Sequence, residues 1–392
     1  MQTWFWLSLF IIFYAYIGYG ILLFIILKIK RIIKPDPHKP NSDFKPAITL
    51  VIPTYNEVDT IMEKVSNSLE LLYDKTKLTI IFITDGSTDG TYEKLKSIDG
   101  ITVLHEPARK GKSAAENRSM KFVKTPIVAF CDANTYLPPE TLLELVKHYV
   151  DEKVGAVAGE KRIMVAENDT ASGSGEGFYW KYESTLKKMD SELLTVVGAA
   201  GELFSFRTKL FIELEEDTIL DDFMLSLRIA EQGYRVLYEP EAYALETASE
   251  SVGEELKRKI RIGAGGWQSM VRLASLLNFF KHPVLTFQYV SHRVLRWSIA
   301  PLCLLILIPL NFYLHLQFSG LYTMLMAGQF VFYLLAITGW YFANRKIKVK
   351  ILFIPYYFFI MNYAVILGFF RYLKGSQSAA WERSKRAQIN LN

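Results

Sequence analysis

From Trp4 to Leu27 the chain carries no charged residue, and Lys28, Lys30, Arg31 and Lys34 follow at once. About 20 apolar residues wound as a helix cross the hydrocarbon layer of a bilayer. A cleaved signal peptide would need a basic start, a shorter apolar run and a small-residue cleavage site, none of which this stretch offers. It reads as a retained anchor, with Met1 outside and Lys28 at the cytoplasmic edge, where basic residues collect. Two further uncharged runs lie near the other end, roughly 298–314 and 320–343, and a third spans about 351–370 with Pro355 inside it. Basic residues flank that third run on both sides, so a single crossing would put one basic cluster outside; a re-entrant or interfacial segment would avoid this.

Between these apolar ends lies a block of mixed, globular composition. The expected division is an anchor at 1–30, a proline-containing linker at 31–46 and a catalytic-type domain at 47–250. Amphipathic interface helices at 251–297, membrane segments at 298–372 and a basic tail at 373–392 follow. The net charge of +5 is too small to argue for nucleic acid, and the basic residues sit beside apolar segments, where membrane lipids are the natural partner. Cys131 and Cys303 lie in unlike surroundings and read as buried small hydrophobes, not as a disulfide or a metal site.

The middle block alternates strand and helix. Short β-rich runs at Ile48 to Ile52, Thr79 to Ile83, Ile101 to Leu104 and Ile127 to Cys131 are separated by helical patterns, one on Val58, Ile61, Met62, Val65, Leu69 and Leu72 and one over Gly111 to Phe122. The predicted fold class is α/β, a mostly parallel sheet with helices on both faces. Ligands bind such sheets beyond the carboxyl ends of the strands. Asp85 and Asp132 both fall there.

Asp85 opens the turn-rich Asp85-Gly86-Ser87-Thr88-Asp89-Gly90. A carboxylate at this place can bond a base or ribose while glycine admits close backbone; an Asx-type turn is the local alternative. Asp132-Ala133-Asn134 offers oxygen at a strand end, as a diphosphate-bound Mg²⁺ or Mn²⁺ requires, or else caps a turn. Asp221-Asp222 precede a helical stretch, where a dipole keeps a carboxylate charged; a general base needs that, and an N-cap accounts for only one of the two. Arg258 and Arg261 are placed to neutralise a departing diphosphate, whereas Lys257 and Lys259 suit lipid headgroups equally well. Lys112 is a further phosphate candidate outside any P-loop context.

In their order these features resemble the family 2 glycosyltransferases, in particular the processive membrane branch of cellulose, chitin and hyaluronan synthases. The matching stretches are Val51 to Glu57, Thr84 to Gly90, Gly111-Lys112 with Asn117, Asp132 to Asn134, Asp221-Asp222 and Arg258 to Ile262, with looser matches at Tyr179 to Glu183 and Phe206-Arg207. The resemblance implies a GT-A-like fold and an inverting hexosyltransferase that moves a sugar from a nucleotide-sugar, a UDP-sugar first, to a growing polysaccharide. An integral membrane enzyme working at the cytoplasmic face is implied too, with a secretion partner left open. A single addition to a polyprenyl-linked acceptor is the alternative; a non-enzymatic transporter or scaffold is a more distant one.

By the same resemblance Thr54, Glu57, Asp85, Lys112, Asp132, Arg258 and Arg261 bind donor. Asp132 and Asn134 hold the metal, and Asp222 is the base with Asp221 beside it. Departures are Thr84 for an acid, Asn134 for the second Asp of DxD, Leu220-Asp221 for Thr-Glu, and Arg258 and Ile262 for the Gln and Trp of the last motif. The lost Trp removes an acceptor platform, which Trp180 or Trp267 would have to replace. The account expects Asp85, Asp132 and Asp222 to meet around one pocket.

Overall fold

The computed structural model describes residues 1–33, 38–164, 171–247, 252–345, 347, 349–375 and 377, with only the backbone described at 171–179 and 350. Part of the linker (34–37) and most of the basic tail (376 and 378–392) lie outside the described residues.

The strands form one seven-stranded sheet in the order β3-β2-β1-β4-β6-β5-β7. They are β1 (Ile48–Thr54), β2 (Leu78–Asp85), β3 (Thr102–Glu106), β4 (Ile127–Cys131), β5 (Val154–Met164), β6 (Leu203–Arg207) and β7 (Arg235–Thr247). β1 pairs in parallel with β2 and β4, β2 with β3, and β5 with β7; β6 alone runs antiparallel to its neighbours β4 and β5. Every residue of β1 and β4 is buried, the apolar run expected of strands covered on both faces. Helices α2 (Ile61–Leu69), α3 (Thr91–Leu95), α4 (Lys112–Met120), α5 (Thr141–Val146), α6 (Ala171–Leu193) and α7 (Asp221–Glu231) supply those covers. Two apolar cores result, one on each face: Val51, Ile81, Val128 and Phe206 belong to one, and Leu50, Ile80, Ala129 and Val157 to the other. The four expected strands and the expected sheet are present.

Among the described residues four helices are long and apolar enough to cross a membrane: α1 (Gln2–Ile33), α10 (Ile299–Gln317), α11 (Leu321–Asn344) and α12, of which Ile351–Leu373 is the apolar part. Between sheet and membrane helices run α8 (Val252–Arg272) and α9 (Pro283–Tyr289). The third C-terminal apolar run is one unbroken helix, α12 (Lys350–Leu373), with Pro355 inside it. It lies along α8 in the same direction. Trp267 meets Phe369 at 4.5 Å between ring centroids, and a Cβ on Gly368 would come within 2.6 Å of the Ala264 backbone nitrogen. Cys131 and Cys303 are buried and unpaired.

A buried polar cluster joins α1 to the sheet domain. Glu183 on α6 receives Arg296 at 2.6 Å and Arg293 at 3.1 Å, and His292 stands between Asp190 at 2.5 Å and Glu183 at 3.3 Å. Arg296 also donates from Nε to the carbonyl of Ala15 at 2.7 Å, and Lys30 donates to the carbonyl of Leu193 at 2.9 Å. The apolar helix α1 is therefore fixed to α6.

Candidate active site

The loops after β1, β2 and β3 are tied together before any ligand arrives. Asn56 sits in the left-handed region at φ 53°, which Asn tolerates better than most side chains. There its N–H donates to Ser87 Oγ at 3.1 Å, and its Oδ1 accepts from the N–H of Thr88 at 2.8 Å. Asp89 accepts from the N–H of Val58 at 3.0 Å, and the N–H of Glu57 donates to Thr91 Oγ1 at 2.9 Å. Asp85 is fully buried, and its carboxylate accepts from the N–H of Lys110 at 3.1 Å and of Gly111 at 2.7 Å. Gly86 at φ 70° lies so near Arg109 that a Cβ would come within 2.7 Å of its backbone nitrogen.

Backbone donors take up the Asp85 carboxylate, with the Arg118 guanidinium 3.8 Å away, so Asp85 orders the loop that leads into Lys112. Thr54 is also fully buried, with its hydroxyl on the carbonyl of Ile83 at 3.3 Å. Glu57 is half-buried and accepts from the Thr60 hydroxyl at 3.2 Å.

The charged centre is built around Lys112, the first residue of α4. Its ammonium stands 2.8 Å from Asp132 beyond β4, 3.1 Å from Asp221 at the start of α7, and 3.8 Å from Glu116 one turn along α4. Burial works against this charge, yet the carboxylates of Asp132, Asp221 and Glu116 hold the Lys112 pKa well above that of an ordinary lysine. Glu116 shows the opposite balance: burial, then the charge of Asp221, pushes its carboxyl well above the usual range. Burial raises Asp132 as well, with Lys112 opposing. Asp221 is held low by Lys112 despite its burial, while burial and the charge of Asp221 push Asp222 up to about 7. Burial and the charge on Asp221 thus favour the protonated form of Asp222 more than that of its neighbour.

Helix α8 sets the height of this pair. Gln268 accepts from the N–H of Ile219 at 3.0 Å and donates to the carbonyl of Asp217 at 2.9 Å. Gly265 lets the helix press on the loop before α7; a Cβ there would meet Leu220 at 2.6 Å. Arg261 donates from Nη2 to the Ile219 carbonyl at 3.3 Å, and its buried Nε has no hydrogen-bond partner among the described residues. Asp221, Asp132 and Asp222 all act on it electrostatically. Arg258 pairs with Glu255 at 2.9 Å.

Beyond Asp132, Asn134 donates its amide to Glu246 at 3.3 Å, which explains an amide where an acid is usual. Glu246 shares Lys161 with Glu202, the latter at 2.7 Å. Only Oδ1 of Asp132 is engaged by Lys112. Among the described residues no three His, Cys, Asp or Glu side chains gather as a metal cage. Asp132 and Asn134 therefore suit a cation shared with phosphate oxygens, which needs one or two protein ligands. Trp180 carries the ammonium groups of Lys161 at 5.3 Å and Lys259 at 5.6 Å near its ring. Trp267 packs against Phe369 and the core, and its buried indole N–H has no hydrogen-bond partner among the described residues.

Sequence reasoning passed over Glu116, Lys161, Glu202 and Glu246, which belong to no short motif. It also passed over Arg109, whose guanidinium lies 3.7 Å from the ring centroid of Tyr55. The signal for that pair was present, since Tyr55 lies inside a motif stretch.

Residues 49–215, which contain β1 to β6 and the Lys112–Asp132 pair, match glycosyl transferase family 2. The chain carries a family 2 glycosyltransferase domain. It is 31% identical over 251 residues to a poly-β-1,6-N-acetyl-D-glucosamine synthase of Staphylococcus aureus, a match covering 61% of this chain and 58% of that relative's length. A synthase of the same name from Staphylococcus epidermidis is 24% identical over 368 residues, 87% of this chain and 88% of the relative. Among solved structures, a mannosyltransferase from Pyrobaculum calidifontis in complex with GDP-Man and Mn²⁺ superposes with a TM-score of 0.74 at 22% identity, covering 95% of this chain and all of that one. That likeness establishes the GT-A-like fold of this family 2 domain together with its apolar helices.

Proposed function

We propose that this chain is an integral-membrane, inverting glycosyltransferase that extends a polysaccharide from a nucleotide-sugar at the cytoplasmic face. The observation that carries the reading is the juxtaposition of Asp222, whose pKa is raised to about 7, with the Lys112–Asp132–Asp221 group and Arg261. Such a site holds a base ready beside positive charge fit for a leaving diphosphate.

The base of the donor stacks on the Tyr55–Arg109 surface, above loops that Asp85 and Asn56 have fixed. Asp132 and the amide oxygen of Asn134 would hold Mg²⁺ or Mn²⁺, which supplies positive charge to the diphosphate when bound. Lys112 and Arg261 face the same oxygens, and Arg258 with Glu57 completes the rim. Asp222 takes the proton of an acceptor hydroxyl; its oxygen attacks the anomeric carbon from the face opposite the nucleotide. The bond from that carbon to the diphosphate breaks, and the electron pair leaves with the nucleoside diphosphate. The preorganised positive side chains lower the barrier because they meet the charge where it develops. Trp180 receives the acceptor.

Similarity to the staphylococcal synthases supports UDP-N-acetylglucosamine as donor and a β-1,6-linked N-acetylglucosamine chain as product. The absence of an aromatic at Ile262 favours, as second reading, a single addition to a polyprenyl-linked acceptor. The basic cluster at the end of α1, Lys28, Lys30 and Arg31, supports a cytoplasmic domain. The test incubates the purified full chain with a panel of nucleotide-sugars, Mg²⁺ or Mn²⁺, and labelled donor. A ladder of products from UDP-N-acetylglucosamine is expected; one added sugar selects the second reading, and no nucleotide release from any donor refutes both.

A further inference from the structure

Helix α6 carries a lysine whose position the reaction above does not explain. Lys187 is 5% exposed, and its ammonium has no hydrogen bond and no ion pair among the described residues. Glu183, four residues earlier on the same helix, is already occupied by Arg296, Arg293 and His292. An ammonium with no protein partner keeps its three donors for the oxygens of a ligand. Burial, then the nearby Arg293, lowers the Lys187 pKa, while Glu183, Glu202 and Asp222 support its charge. The groups around its ammonium thus include the carboxylate assigned as base.

Trp180 is seven residues earlier, two turns along the same face of α6. Its ring centroid is 6.0 Å from the Lys187 ammonium. The other two cations at this ring are committed: Lys161 to Glu202 and Glu246, and Lys259 to Glu255 at 3.4 Å. An indole face suits the apolar face of a sugar ring, and an ammonium offers three hydrogen-bond donors to its oxygens. An anionic sugar would meet Asp222 and Glu202 with only one uncommitted ammonium to balance it. A neutral sugar suits this charge pattern better.

We propose that Lys187 and Trp180 together form the acceptor subsite, taking the terminal neutral sugar of a glycan with its ring on the indole and one ring-substituent oxygen on the Lys187 ammonium. Lys187 then acts as a positioning residue that turns the attacking hydroxyl toward Asp222. The inference rests on the glycosyltransferase reading, and the experiment separates the two.

The full chain in detergent is assayed with UDP-N-acetylglucosamine and a short β-1,6-linked N-acetylglucosamine oligosaccharide, varying each in turn. Lys187→Met should raise the acceptor KM about ten- to a hundredfold, the worth of a hydrogen bond to a charged donor. The donor Kd, measured by calorimetry without acceptor, should stay within about twofold, less than the loss of one neutral hydrogen bond. Lys187→Arg should recover part of the acceptor KM. Trp180→Ala combined with Lys187→Met should cost less than the product of the two single effects, since both act on one sugar. An unchanged acceptor KM in Lys187→Met overturns the subsite, and so does an equal loss in donor affinity. A wild-type chain that binds donor but glycosylates no acceptor refutes the transferase reading itself.

Discussion

Lys112→Met removes the cation at the centre of the site while keeping most of its side-chain volume. Its ammonium lies within 3.1 Å of two carboxylates and 3.8 Å of a third, and its side chain is only 15% exposed. Breaking a buried pair by removing one partner costs about 3–5 kcal/mol, because the remaining charge is left uncompensated. The cost should depend on pH in a direction that distinguishes it from simple packing loss. In the native chain Lys112 holds Asp221 below its ordinary pKa, so that group adds stability above the carboxylate range and loses it as pH falls. Without Lys112, burial and mutual repulsion lift Asp132 and Asp221 above their unfolded values. Their contribution is then retained at low pH and lost as pH rises through the raised values. Thermal unfolding in detergent, followed by tryptophan fluorescence at pH 5.5 and pH 8, should show a drop on the order of 10 °C at pH 8 and a much smaller one at pH 5.5. Equal drops at both pH values, or none at pH 8, would refute the electrostatic account of this centre.

Three further outcomes follow from named contacts. The acceptor kcat/KM should fall as pH drops through about 7, because Asp222 must be unprotonated to act; a profile flat from pH 5.5 to 8 would exclude it as the base. Gly265→Ala puts a methyl group 2.6 Å from Leu220, so α8 or the loop bearing Asp221 must shift. A destabilisation of about 1–3 kcal/mol with reduced kcat is expected, and an unaltered kcat would show that α8 does not set the height of that loop. Asp132→Asn should abolish the metal dependence of donor binding measured by calorimetry, and binding that still rises with Mn²⁺ would move the cation elsewhere.

Much of the fold was legible because strands β1 to β4 are apolar runs that end in turn-forming residues. The second half of the sheet was not. β6 is five residues long and antiparallel, inserted between β4 and β5 by a long excursion through α6, and no local pattern announces such a pairing. At the site, Lys112, Asp132, Asp221, Asp222 and Arg261 were found because their residue types suit phosphate and proton chemistry and fall at element ends. Asp85 kept two readings because an Asp before glycine serves equally as a ligand contact or as an acceptor for backbone N–H groups, and in the fold its carboxylate meets the N–H of Lys110 and of Gly111. For Trp267 the amphipathic pattern reveals an apolar face without its partner, here Phe369. Lys161, Glu202, Glu246 and Lys187 are brought together by folding alone, from positions up to 85 residues apart for Lys161 and Glu246.

The most direct test of the proposed chemistry is Asp222→Asn, with sugar transfer and donor binding measured on the same preparation. Transfer should vanish while UDP-N-acetylglucosamine binds as well as before or more tightly, since one negative charge beside Asp221 is gone. Near-normal turnover in that variant would contradict the assignment of Asp222 as the group that takes the acceptor proton.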